Sequence, residues 1–329
     1  MLPGESLLFP VLFQLVLAVT GTLLACSLAL LYVRGVRLER PAIGTFNRRD
    51  IVMLFVFIVG LPLLYLVLPL EPLIVFLGIT FVSALAIGLR PLLTPTLTWL
   101  GVGLVVGLNI WMARTLLGTV TGWQLFWLEN SALVIAAAVM VANLYVQGGM
   151  RLQHVAWFGL ILAVYDALFT FIWPVTSILT QRFLESPLDP AIGFRLGIFN
   201  AALGLGDLLV YSMFVIAVYK AYGRVTLRLA LGVTVVFGAV TPALAPLVFS
   251  ALIDARTDLV VPAQVAFGPA AFVSYLWLRR RFGRERTMAE FWTSADVPRP
   301  ARRAAAIPAT TRRAPVAAPA RRAVLDPGS

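Results

Sequence analysis

Two aspartates stand isolated within apolar runs that are otherwise long enough to cross a membrane. Asp166 directly follows Tyr165, and Asp207 directly follows the triplet Gly204-Leu205-Gly206. An ionisable side chain at bilayer depth costs at least about 2.5–3.5 kcal/mol on insertion scales, so its presence indicates a function. These two acids are therefore the first candidates for chemistry.

A pair of carboxyl groups in contact is suited to hydrolysing a peptide bond. Both members cannot easily ionise together, so the pair holds one proton. The ionised member then removes a proton from water while the protonated member polarises the carbonyl of the substrate. Asp166 lies fifteen positions after Arg151, and Asp207 lies thirteen positions before Lys220. At about 1.5 Å per residue, both acids are predicted to lie roughly 20 Å from these basic markers, on adjacent antiparallel helices.

The residues around the acids weaken both helices. Gly204 and Gly206 allow a substrate backbone to approach Asp207 closely and permit local unwinding. Pro174 follows Asp166 by eight positions and is expected to break its helix. The amide of a helical substrate is accessible only after the substrate helix has been unwound. Weakened helices beside the acids are therefore consistent with a helical substrate.

The composition predicts an integral membrane protein of the all-α class. Sixty per cent of the residues are hydrophobic, 12 per cent are charged, and the mean hydropathy is +0.92. A span needs about 20 apolar residues, and the chain supplies nine such segments. Their approximate limits are 7–33, 50–69, 72–89, 91–112, 125–147, 155–178, 195–219, 227–252 and 259–278. A polytopic bundle of about nine transmembrane helices is therefore expected.

Charge predicts the orientation and the division of the chain. Arginines are concentrated in every other connection, which favours an N-terminus outside and a cytoplasmic C-terminus. Residues 1–150 contain spans one to five and residues 151–281 contain the four spans around the acids. Residues 282–329, rich in Ala, Pro and Arg, are expected to form a disordered basic cytoplasmic tail. From Arg279 to the C-terminus, twelve Arg against four acids account for +8 of the net charge of +11, which argues against a folded nucleic-acid surface.

The two aspartate motifs, Tyr165-Asp166 and Gly204 to Asp207, resemble the presenilin and signal peptide peptidase family of intramembrane aspartyl proteases. Nine spans with an outside N-terminus are similar to the signal peptide peptidase branch. The resemblance implies a presenilin-like bundle in which Asp166 and Asp207 are catalytic. It also implies that substrates are transmembrane segments or remnant signal peptides, and that Tyr165, Gly204, Leu205 and Gly206 lie against them.

The family's third motif, Pro-Ala-Leu, docks substrate from the ninth span, and three stretches of this chain compete for that role. Position favours Pro262, Ala263 and Gln264, whereas identity favours Pro242-Ala243-Leu244 in the eighth span. Pro269-Ala270-Ala271 lies further along the ninth span.

Other functions use the same residues differently. A proton-coupled transporter would employ the two acids as a relay, and an inactive scaffold would use them as a bond between helices. Asn109, Asn143 and Asn200 are expected to bond across helices.

Neither a metal nor an organic cofactor is predicted. The chain has one histidine, His154, and one cysteine, Cys26, which together cannot form a metal-ligand cluster. The expected partners are the lipid bilayer and membrane-embedded substrates, and the oligomeric state is left open. Arginine-rich, lysine-poor usage favours the plasma membrane of a GC-rich prokaryote.

Overall fold

The computed structural model describes residues 8–38, 48–173, 175–183, 186–193, 202–253 and 262–297. This part of the chain is mainly helical, with short turns between the helices and one pair of two-residue strands. The helices are α1 (Leu8–Gly35), α2 (Arg48–Val67), α3 (Leu70–Leu89), α4 (Pro95–Thr115), α5 (Val120–Gln147), α6 (Leu152–Ala167), α7 (Val175–Arg182), α8 (Leu205–Tyr222), α9 (Arg224–Val233), α10 (Thr241–Ile253), α11 (Ala263–Phe282) and α12 (Met288–Thr293). The strands are β1 (Ala191–Ile192) and β2 (Leu203–Gly204), and π-helical turns occupy Leu168–Ile172 and Thr234–Val240.

The prediction of an all-α polytopic membrane bundle is confirmed. Among the described residues, seven helical stretches are long and apolar enough to cross a membrane. They are Phe9–Gly35, Leu70–Leu89, Pro95–Thr115, Val120–Gln147, Leu152–Ile172, Leu205–Tyr222 and Arg224–Ala245. Helices α2 and α11 are also 20 residues long. Each of the nine predicted segments overlaps one of these helical stretches.

The predicted start of the seventh segment at residue 195 is wrong. Residues 203–204 form β2, which pairs antiparallel with β1, so that Ala191 faces Gly204 and Ile192 faces Leu203. The backbone N–H of Leu205 then donates to the carbonyl of Pro190 at 2.7 Å. Glycine has low helix propensity and an apolar run does not distinguish strand from helix, so α8 begins only at Leu205.

Helix α8 is the central element of the bundle. Every residue from Val210 to Ala221 is buried, because α1, α5, α6 and α9 pack around it. Apolar side chains on the outer helices, such as Trp99 and Leu104 on α4, are exposed. This inverted pattern suits a lipid environment, where the outer surface is apolar and a helix surrounded by neighbours is apolar on every side.

Helices α6 and α11 cross at two glycines. A Cβ atom on Gly268 would collide with the carbonyl oxygen of Gly159 and would lie 2.8 Å from the Cβ of Ala163. Small residues let transmembrane backbones approach closely, which is the packing seen here. The two helices run in opposite directions, and the crossing therefore brings the first turn of α11 level with the last turn of α6.

The prediction of disorder from residue 282 onward is wrong for residues 283–297, which we call the strap. The strap contains α12, and its Phe291 side chain is fully buried with its ring 5.6 Å from that of Tyr219. Buried Met288 and Val297 and half-buried Trp292 provide further apolar contacts in a segment that also carries several charged side chains. Residues 298–329, the rest of the predicted tail, lie outside the described residues.

Candidate active site

Asp166 lies at the end of α6, where the helix changes its hydrogen-bonding pattern. It is the penultimate residue of α6 and precedes the π-helical turn Leu168–Ile172. The neighbouring Tyr165 ring packs against Phe169, with 4.4 Å between the ring centroids. π-Helical turns are uncommon and often occur at functional sites. The helix is thus already weakened before Pro174, the predicted helix breaker, which lies outside the described residues.

Asp207 lies in the first turn of α8 rather than in the middle of a continuous helix. Gly204 is the residue that precedes the helix, and its backbone N–H donates to Oδ2 of Asp207 at 3.1 Å. A carboxylate in this position satisfies a free N–H and interacts favourably with the positive end of the helix dipole. The strand–helix junction therefore holds this carboxylate in place.

Gln264 forms the second hydrogen bond to Asp207. Its side-chain Nε2 donates to Oδ1 of Asp207 at 3.0 Å, while its own Oε1 is buried and has no hydrogen-bond partner among the described residues. Gln264 lies in the first turn of α11, directly after Pro262 and Ala263. Of the three Pro-Ala stretches, the one beginning at Pro262 thus supplies a side chain that contacts the acid.

The other two stretches have different places in the fold. Pro242, Ala243 and Leu244 lie in the first turn of α10, directly after the second π-helical turn. Pro269 lies in the interior of α11, beside the glycine crossing with α6. Which stretch docks substrate stays a prediction, and the contact between Gln264 and Asp207 favours Pro262 to Gln264.

Asp166 and Asp207 lie on helices α6 and α8, which contact each other. Asp166 is fourteen residues beyond the start of α6 at Leu152, and Asp207 is fifteen residues before the end of α8 at Tyr222. At about 1.5 Å per residue, both lie roughly 20 Å from the end of the bundle that carries the strap. The structure therefore brings the two acids to one level.

The residue before Asp207 faces open space. Gly206 is exposed, and a Cβ atom placed on it would meet no atom within 4 Å. Gly204 and Leu205 on either side of the strand–helix junction are half-buried. Of the predicted substrate-contacting residues of this motif, Gly206 is thus fully accessible and Gly204 and Leu205 are partly accessible.

A buried polar network holds the loop that carries β1, and the sequence analysis identified Asn109 in it but not Asn130. Asn130 on α5 donates from Nδ2 to the carbonyls of Asp189 and Ala191, both at 3.0 Å. Asn109 on α4 accepts from the backbone N–H of Leu188 at 2.8 Å, and Leu188 has a left-handed backbone with φ of 60°. Because β1 pairs with β2, this network anchors the strand that leads into Asp207.

The expected bonds of asparagines across helices are confirmed for two of the three residues. Asn109 donates to Glu129 at 2.6 Å and to Asn130 at 3.2 Å, both on α5. Asn143 on α5 donates to the carbonyl of Ala29 on α1 at 3.3 Å. Asn200 lies outside the described residues. The sequence signal that could have identified the network was a further asparagine, Asn130, within an apolar segment.

Within the described part of the chain, no three His, Cys, Asp or Glu side chains are grouped so that they could hold a metal ion. Cys26 is buried in α1. His154 lies in the first turn of α6, where its Nδ1 accepts from the backbone N–H of Arg151 at 3.4 Å.

The architecture matches a solved structure of a presenilin-family intramembrane aspartate protease. The match has a TM-score of 0.50 and covers 82% of this chain and 99% of that chain, at 18% sequence identity. The chain has the presenilin fold. A scan against protein-family models and a search of curated proteins gave no match. Within this presenilin fold, the two acids, Gln264 and the strand–helix junction form the candidate active site.

Proposed function

We propose that this protein is an intramembrane aspartyl protease that hydrolyses peptide bonds within transmembrane segments. The observation that carries the proposal is the placement of Asp166 and Asp207 at one level on adjacent helices, roughly 20 Å inside the bundle. The presenilin fold supports it, because the solved structure with that fold is an aspartate protease. Water is the nucleophile, and the mechanism requires no cofactor.

The hydrogen bonds support different roles for the two acids in this proposal. Asp207 accepts one bond from a backbone N–H and one from the Gln264 amide, and it lies at a helix N-terminus. Donors and the helix dipole stabilise a negative charge. Asp207 is therefore the ionised member that removes a proton from water. Asp166, at the opposite helix end, carries the shared proton and donates it to the substrate carbonyl.

The reaction then follows acid–base chemistry in two steps. Water attacks the carbonyl carbon as Asp207 takes its proton and Asp166 protonates the oxygen, which forms a tetrahedral diol. Transfer of a proton from the Asp207 carboxyl to the amide nitrogen lets the C–N bond break, and return of the diol proton to Asp166 regenerates the pair. Since Gly206 leaves the side of Asp207 open, an unwound substrate backbone has room to approach.

The substrates that suit this site are single-span proteins and remnant signal peptides, as in the signal peptide peptidase branch. The arginine distribution favours an outside N-terminus and a cytoplasmic strap. The plasma membrane of a prokaryote is proposed from the arginine-rich, lysine-poor usage. In that orientation, the two acids are reached from within the bilayer. Lipid and membrane-embedded peptides are thus the proposed partners.

A cleavage assay in liposomes tests the proposal. Wild-type protein is expected to cut a single-span substrate, whereas Asp166→Asn and Asp207→Asn each lower the rate by more than about 100-fold, because each removes an acid–base group. Glu71→Gln is the matched control, since Glu71 forms an exposed pair with Arg114 at 2.7 Å. Cleavage that survives Asp207→Asn would overturn the proposal. Ion-gradient-dependent flux without peptide products would instead identify the alternative function, a proton-coupled transporter that uses the same acids.

A further inference from the structure

The strap contacts the starting end of the helix that carries Asp166. The two carboxylate oxygens of Glu285 accept hydrogen bonds from the backbone N–H groups of Leu152 at 2.9 Å and Gln153 at 3.0 Å. These are the first two residues of α6, whose N–H groups have no partner within the helix. A negative side chain here also complements the positive end of the helix dipole. Glu285 therefore binds α6 specifically at its N-terminus.

The next residue of the strap binds the finishing end of the helix that carries Asp207. The guanidinium of Arg286 donates from Nε to the carbonyls of Lys220 and Ala221, at 3.1 and 3.2 Å, and from Nη2 to the carbonyl of Tyr219 at 3.2 Å. These carbonyls lie in the last turn of α8, where the dipole is negative. Arg286 is itself oriented by Asp296, whose Oδ2 accepts from Nη1 at 2.8 Å.

A third residue, Lys220, joins the same two helix ends directly. Lys220 on α8 is only 2% exposed, and its Nζ donates to the carbonyl of Met150, two residues before α6 begins, at 2.6 Å. Because α6 and α8 are antiparallel, the N-terminus of α6 lies beside the C-terminus of α8. Negative Glu285 binds the first of these ends and positive Arg286 binds the second. This arrangement opposes sliding of α6 along α8, because a slide would stretch the hydrogen bonds that join the N-terminus of α6 to the C-terminus of α8.

We propose that Glu285 and Arg286 are positioning residues that set the height of Asp166 relative to Asp207. The inference rests on the proposed protease function. A slip of one residue moves a helix by about 1.5 Å along its axis. A displacement of about 1 Å at a reacting centre can lower a rate by about 100-fold. The strap therefore affects the acids from roughly 20 Å away, because it fixes the positions of α6 and α8 along their axes.

The first arm of the test measures catalysis in the full chain in bilayers. Glu285→Gln removes the charge and replaces one acceptor with a donor, so α6 loses at least one of its two bonds. We expect kcat per active site, titrated with a transition-state mimic, to fall about tenfold with KM unchanged, and the pH profile of kcat to change. A strap that only stabilises the fold would lower the amount of active protein without altering these quantities. Arg284→Gln is the matched control, because Arg284 forms an exposed pair with Glu290 at 2.6 Å.

The second arm reports helix height without catalysis. A Cβ atom on Gly159 would lie 3.8 Å from Cγ1 of Val210, so these positions face each other across α6 and α8. In a Cys26→Ala background, Gly159→Cys and Val210→Cys together are expected to cross-link rapidly on oxidation. Glu285→Gln should slow this cross-linking several-fold, whereas Arg284→Gln should not.

The two arms separate the possible failures. An unchanged cross-linking rate together with an unchanged kcat and pH profile in Glu285→Gln would overturn the positioning role. Slower cross-linking in a protein whose wild type cleaves no substrate would support the positioning role and overturn the protease proposal. Should Glu285→Gln not fold, Glu285→Asp keeps the charge but shortens the side chain, and smaller changes of the same sign are expected.

Discussion

The side-chain amide of Gln264 donates to Oδ1 of Asp207 at 3.0 Å, which joins the first turn of α11 to the first turn of α8. The two residues are 57 positions apart in the chain. Together with the backbone N–H of Gly204, this amide gives each oxygen of Asp207 one donor. The contact places a polar residue of α11 directly on an acid of the candidate site.

Replacing Gln264 by leucine, the residue of the literal Pro-Ala-Leu motif, is expected to lower kcat by about tenfold or more. The change removes one of two donors to the charged form of Asp207, and hydrogen bonds to charged groups contribute about 1.5–3 kcal/mol. The measurement is the cleavage rate per titrated active site. Gln124→Leu, at an exposed position of α5, is the control and should leave kcat unchanged. Full activity in Gln264→Leu would contradict a role for this bond.

Asn130→Leu is expected to lower both stability and activity. It leaves the buried carbonyls of Asp189 and Ala191 without their donor, at a cost of at least about 2 kcal/mol. It also loosens β1, which orders the strand before Asp207. Thermal unfolding and kcat together check this prediction.

Asn143→Leu is the matched control for Asn130→Leu. Asn143 is equally buried on α5, but it bonds to α1 through Ala29. It should lower stability to a similar degree while kcat per active site stays near the wild-type value. Equal losses of kcat in both variants would show that the network acts on stability alone.

Gly268→Ala is expected to destabilise the protein by about 1–3 kcal/mol, because the new methyl group meets the backbone of Gly159 at the crossing of α6 and α11. The comparison is Gly103→Ala on α4, where a Cβ atom meets nothing within 4 Å. That change should be neutral or stabilising by up to about 1 kcal/mol, through helix propensity. Unfolding curves in detergent measure both, and a harmless Gly268→Ala would contradict the close approach.

Phe291→Ala is expected to detach the strap. Removing a fully buried phenylalanine costs about 3–5 kcal/mol. We expect this cost to exceed the free energy that holds a short segment with the six-residue α12 on the bundle. The variant should become sensitive to trypsin at Arg284 and Arg286, while the wild type is protected at Arg286. Phe282→Ala, at a position that is 43% exposed, provides the control. Equal cleavage at Arg286 in wild type and variant would show that the strap is not folded onto α8.

The amino-acid sequence by itself determined the membrane class and the approximate helical segments, and it marked the two acids as candidates for chemistry. The physical reason is that lipid offers no hydrogen bonds, so a spanning segment must satisfy its backbone locally and be apolar throughout. Such segments can be recognised in the sequence as runs of apolar residues. An acid within such a run stands out because its insertion into the bilayer costs free energy. Position along the chain also pointed to Pro262, Ala263 and Gln264 as a candidate motif.

Only the tertiary structure decided where α8 begins, which candidate motif contacts Asp207, and how residues 283–297 fold. Gly204 lies in an apolar run that predicts helix, but it pairs with Ala191 in a strand thirteen residues earlier. Gln264 meets Asp207, and Glu285 meets Leu152, across 57 and 133 positions of chain. Local composition carries no record of such partners, because these bonds exist only after the helices have packed.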